Sequence, residues 1–197
     1  MNRVITKFLF ALSLGVLATL AVAHDGSEGL GGGLLSGFLH PIFGWDHVVA
    51  MVAVGLWGAF LGSPALWILP VVFPLVMALG GALGVMGIPV PAVELGIALS
   101  AIVLGLMVAF KQRPSLWIAG LLVAVFAIFH GHAHGTELPT AVNPLAYSLG
   151  FMVATGMLHM AGIGFGLLTR WPAGERLVQI LGGLIALTGL AFLTGVA

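Results

Sequence analysis

The chain has 197 residues, of which 60% are hydrophobic and only 6% charged, a composition that belongs to a membrane protein because so much apolar sequence cannot hide in a soluble core of this size. Net charge is zero with no basic stretch for nucleic acid to grip, which excludes that class of partner. The absence of cysteine excludes disulfides, thiolate metal sites and thiol redox chemistry, and no P-loop motif is present to hydrolyse ATP.

The N-terminal residues 1–23 have the pattern of a cleavable signal peptide. Arg3 and Lys7 form a basic region, Phe8 to Leu20 an apolar one, and Ala21-Val22-Ala23 an A-x-A cleavage site. Cleavage would leave His24 as the new N-terminus, outside the cytoplasm. The alternative is a first transmembrane helix that is never removed.

Residues 24–197 then read as one all-α, polytopic membrane domain. The segment 24–44 is glycine-rich and too short to cross, so it is expected to dip into the outer leaflet. Six spans follow, at roughly 45–62, 65–86, 91–110, 115–133, 144–169 and 176–196, each near the ~20 residues a bilayer needs. Pro and Gly mark the joints: Gly62-Ser63-Pro64, Ile88-Pro89-Val90-Pro91, Arg113-Pro114, Asn143-Pro144 and Trp171-Pro172. The pairs Gly58/Gly62, Gly80/Gly84 and Gly162/Gly166 have the spacing that lets membrane helices pack closely.

Charge gives the expected orientation. Lys111 and Arg113 follow span three, and Arg170 and Arg176 bracket the turn between spans five and six. With the N-terminus outside, both turns are cytoplasmic and hold every basic residue beyond the cleavage site, which satisfies the positive-inside rule. The expected location is a bacterial inner membrane, with both termini on the periplasmic side.

Two polar clusters then share the outer face. The first is HPIFGWDH, His40 to His47, at the mouth of span one. The second is FHGHAHGTE, Phe129 to Glu137, at the end of span four. On a helix His130, His134 and Glu137 fall at i, i+4 and i+7 along one face, while His132 points roughly the other way unless the helix unwinds at Gly131 or Gly135. Pro41 argues against one unbroken helix through His40 and His47. Neutral imidazoles with carboxylates form a ligand set for borderline divalent ions such as nickel, cobalt and zinc.

A single membrane histidine, His159 for instance, is often only an interhelical hydrogen bond, and Glu94 or Glu137 at a helix end can simply reach interfacial water. Five histidines and two carboxylates on one face are harder to account for structurally, because ionisable groups within spans are expensive.

At these motifs the chain resembles the HupE/UreJ family of nickel and cobalt permeases: H-x5-D-H (His40, Asp46, His47) precedes F-H-G-x-A-H-G-x-E (Phe129 to Glu137). The resemblance implies secondary uptake of Ni²⁺ or Co²⁺ for hydrogenase, urease or cobalamin enzymes. It also implies His40, Asp46, His47, His130, His134 and Glu137 as metal ligands. His132 occupies a variable position of the second motif. On chemistry alone, His24 would serve first capture, and Glu94 and His159 an onward path.

The expected protein is therefore not an enzyme and carries no cofactor. Its partners are the transported divalent ion and the lipid bilayer; homo-oligomerisation is left open, as is nickel against cobalt. The rival readings are an intramembrane metalloenzyme, which would need a general base beside an open coordination position, and a periplasmic-side metal sensor or binding protein. A haem cytochrome would have only His130 and His159 as axial ligands.

Overall fold

The computed structural model describes residues 30–138 and 143–196, and every regular element among them is helical. The signal-peptide segment 1–23 and His24 lie outside the described residues.

Helix α1, Leu30–Phe43, is 14 residues long and meets α2, Trp45–Leu61, at a bend of 79°. No unbroken helix runs through His40 and His47, as Pro41 led one to expect, and the break itself falls at Gly44. Gly44 N still donates to His40 O (3.1 Å), closing α1, and Val48 N donates to Gly44 O (2.9 Å), opening α2, so Gly44 is the joint at which the ladder is interrupted. The bend turns the end of α1 back over the first turn of α2. That brings His40 and His47 together, seven residues apart in sequence, without a continuous helix.

Helices α3 (Ala65–Val85), α4 (Val93–Ala109), α5 (Leu116–Thr136), α6 (Pro144–Gly166) and α7 (Pro172–Thr194) follow, with a 3₁₀ turn, Leu167–Arg170, before α7. Helix α6 starts where its sequence directs it: Asn143 Oδ1 accepts from Ala146 N at 3.0 Å, and Pro144 occupies the first turn, where its missing N–H costs nothing. Helices therefore occur at all six expected positions. Among the described residues four segments are long and apolar enough to cross a bilayer: α3, α5, α6 with its 3₁₀ extension, and α7; the bent pair α1–α2 makes a fifth if it counts as one span. Helix α4, at 17 residues, is shorter.

Glycine decides which helices touch. A methyl on Gly131 of α5 would overlap the Met77 carbonyl of α3, and one on Gly80 of α3 would overlap the Ile128 carbonyl of α5. The two backbones meet directly, and no larger residue fits on either side. Gly55 of α2 and Gly162 of α6 form the same reciprocal contact, against His159 O and Val52 O. Gly62 is different from the packing role its spacing suggests. It has φ 83° with nothing near its Cβ position, and it closes α2 by donating to Gly58 O.

Trp57, Leu56, Phe73, Leu104 and Val123 are buried between the helices, whereas Leu75, Leu79, Trp117, Leu121 and Leu187 face outward. An apolar exterior around a packed interior is what lipid, rather than water, tolerates. One end of the bundle is basic: Lys111 pairs with Glu175 at 2.5 Å, and the Arg113 guanidinium stacks on Phe60 at 4.4 Å. The histidine clusters occupy the other end.

Candidate metal centre

The local physics of α5 sorts its motif into faces. At about 100° per residue, His130 and His134 share one face, Gly131 and Gly135 the next, and His132 the one after. The glycine face lies on α3, which turns His130 and His134 towards α1, α2 and α4. The helix remains intact to Thr136, so His132 does point away. Its Nε2 donates to Ile88 O at 2.9 Å, tying α5 to the loop after α3.

His40 from α1, His47 from α2 and His134 from α5 converge, each offering a ring nitrogen, with these atoms all within 4.8 Å of one another. His47 and His134 are buried and His40 half-buried. The Nε2 atoms of His47 and His134 are 2.5 Å apart. Two neutral imidazoles that close must either share one proton or present both lone pairs to a common cation. The Phe151 ring packs on His134 with centroids 4.2 Å apart, closing one side of the group.

Asp46 stands behind His47 rather than within the three-imidazole group. Its Oδ1 is 2.7 Å from His47 Nδ1, an ion-pair distance, although the N–H is not aligned for a hydrogen bond. A carboxylate there favours the proton on Nδ1 and leaves Nε2 free as a donor towards the cluster, the carboxylate–histidine arrangement that orients metal ligands. Asp46 also lines a cavity of about 560 Å³ between α2, α4 and α7, together with Glu94. Two carboxylates in one vestibule beside the imidazoles form a negatively charged approach for a cation.

His130 lies one helical turn deeper, fully buried, with its ring 5.5 Å from that of His47. Its Nε2 is 2.9 Å from Ser100 Oγ of α4. Ser100 went unnoticed in the sequence, since one serine in an apolar helix carries no pattern. Glu137 is exposed just past α5, and His159 is buried well away from the cluster.

Apolar helices around converging imidazoles define the class: a multi-pass membrane protein that handles a metal ion. The family described as HupE / UreJ protein matches residues 12–192. The chain is also 46% identical over 190 residues to Protein HupE of Rhizobium leguminosarum bv. viciae, covering 96% of this chain and 98% of that protein. This protein belongs to the HupE/UreJ family, which consists of permease-like accessory proteins and not enzymes. No solved structure matches it.

Proposed function

We propose that the protein is a secondary transporter that takes up Ni²⁺ or Co²⁺ across a bacterial inner membrane for metalloenzyme maturation. The observation that carries this reading is the convergence of His40, His47 and His134, with ligand atoms within 4.8 Å, at the end of the bundle opposite Lys111 and Arg113. Family membership supports it. All six helices α2 to α7 cross, the bundle end with the histidines faces the periplasm, and both termini lie there, because the basic turns belong on the cytoplasmic side.

In this reading a hydrated ion enters the vestibule of Asp46 and Glu94 and exchanges water for His40, His47 and His134, with His130 next below. Glu137, exposed at the mouth, and His24 at the processed N-terminus assist capture. Borderline divalent ions suit this nitrogen-rich set with nearby carboxylates. The membrane potential supplies about 4.6 kcal/mol per 100 mV for two charges moving to a negative interior. That corresponds to roughly a thousandfold accumulation or more, so ATP is not required energetically.

The test is initial uptake of radiolabelled nickel into cells expressing the protein, with unlabelled cobalt as competitor. Uptake above that of cells without the protein, reduced by cobalt, is the expected result. Tight binding by the purified protein with no flux would instead identify a metal sensor or store and refute transport.

A further inference from the structure

The cluster at the bundle end leaves one buried polar group unused. His159 of α6 is 1% exposed, and neither of its ring nitrogens has a hydrogen-bond partner among the described residues. Thr155, one turn earlier on the same face, is fully buried, and its hydroxyl is also without a partner. Threonine and serine in a helix ordinarily bond back to the carbonyl four residues before them. Ser148, Thr188 and Thr194 do so here, at 2.8, 3.0 and 3.0 Å. Thr155 does not.

A third polar atom joins them. Helix α3 contains Pro70 and Pro74. Pro74 has no N–H, so the Pro70 carbonyl lacks its helical donor. That carbonyl faces the His159 ring, without the geometry of a hydrogen bond. The Thr155 hydroxyl and the His159 imidazole thus lie one turn apart on one buried face of α6, with the Pro70 carbonyl beside the ring, and leaving such groups unpaired away from water is unfavourable. His159 lies about 22 Å of helix rise from the start of α6 at Pro144. The Phe73 ring stands between it and the outer cluster, with centroids 5.6 Å from His130 and 5.4 Å from His159.

We propose that His159, Thr155 and the Pro70 carbonyl form a second, inner binding station for the divalent cation, separated from the outer cluster by Phe73. This rests on the transport reading above. The two stations differ in charge and ligand number. The outer one gathers three imidazoles beside Asp46, whereas the inner one has a single imidazole and two neutral oxygens. An ion therefore binds less tightly at the inner station, and passage requires binding that is favourable enough to enter but weak enough to leave. Phe73 prevents one ion from being held by both sets of ligands at once.

The experiment uses the full protein in proteoliposomes with Co²⁺ as the probe, measuring both flux and bound Co²⁺ per chain at saturating concentration. His159→Gln should lower flux roughly 10–100-fold, the usual effect of disturbing a metal site, while outer-cluster affinity stays within about threefold of the parent. Bound Co²⁺ should fall by about one ion per chain. Thr155→Val should reduce flux less, and Thr155→Ser should retain it. Parent-like flux and stoichiometry in His159→Gln would overturn the inner station. So would loss of outer-cluster binding together with flux, which would make His159 a structural residue. If the parent carries no Co²⁺ yet loses one bound ion on His159→Gln, the inner station stands and the transport reading fails; unchanged stoichiometry in a protein without flux would reject both.

Discussion

Ser100 Oγ lies 2.9 Å from His130 Nε2 and 2.6 Å from the Ile97 carbonyl. A hydroxyl has one proton, and Ile97 O can only accept, so Ser100 donates there and accepts from His130. The His130 proton is therefore on Nε2. Its Nδ1 becomes a buried lone pair with no partner among the described residues, available to a cation. Ser100→Ala removes this tautomer control without touching any metal-facing atom. Uptake should drop about tenfold or more, as loss of a group orienting a metal ligand does. Nitrogen NMR of ring-labelled histidine should show the loss of a single fixed tautomer. Unchanged uptake would separate His130 from the metal path.

The two faces of α5 predict opposite outcomes for neighbouring histidines. His134→Gln and His47→Gln each remove an imidazole from a group of three, and Asp46→Asn removes the charge behind His47. All three should abolish or severely reduce uptake. His132→Gln keeps a donor for Ile88 O and leaves the cluster untouched. At most it loses one hydrogen bond, about 1 kcal/mol of stability, so uptake should remain near the parent rate. Initial rates corrected for protein in the membrane decide this. Full-rate transport by Asp46→Asn and His134→Gln would reject the site.

The helix positions were legible because Pro and Gly interrupt long apolar runs, and the periodicity of FHGHAHGTE correctly separated His132 from His130 and His134. Other features depended on contacts between distant segments. Nothing local says that Gly80 meets Ile128, or that Gly62 closes a helix rather than packs. Ser100 became visible only through His130, and the turn at Gly44 only through the hydrogen bonds that end α1 and begin α2 there. Asp46 was expected among the ligands; its place behind His47 depends on that corner, which periodicity cannot describe.

Gly131 illustrates how packing supports the site. Its Cβ position is occupied by the Met77 carbonyl, so Gly131→Ala must push α5 away from α3 and displace His130 and His134 with it. Overpacking of this kind typically costs about 1–3 kcal/mol. The variant should unfold at lower temperature in detergent and bind Co²⁺ more weakly. Gly120→Ala, on the same helix where a methyl meets nothing within 4 Å, should leave both properties unchanged.

Protons should compete with the metal at the outer face. An imidazole must be neutral to bind a cation, and its unperturbed pKa is near ~6.5. Protonation of any of the three converging rings removes a ligand and adds a repelling charge, and burial lowers the His40 imidazole below its ordinary value, so uptake should decline only as the external medium is acidified below the range of a free imidazole. Apparent affinity should fall more than maximal rate, since the loss occurs on binding. Uptake that stays level into strongly acidic medium would rule out a histidine-built entry.

Orientation can be tested independently of metal. The Lys111–Glu175 pair and Arg113 on Phe60 gather the α4–α5 and α6–α7 turns at the bundle end opposite the histidines. The positive-inside rule assigns that end to the cytoplasm. A reporter active only in the cytoplasm should work when inserted in the Lys111–Ser115 turn and fail when fused after Ala197. A periplasmic reporter should give the reverse. A cytoplasmic C-terminus would mean that one of the six helices does not cross, with the 17-residue α4 as the first candidate. If α4 did not cross, α5 would run in the opposite direction and His134 would lie on the other side of the membrane from His40 and His47, which the convergence of the three side chains contradicts.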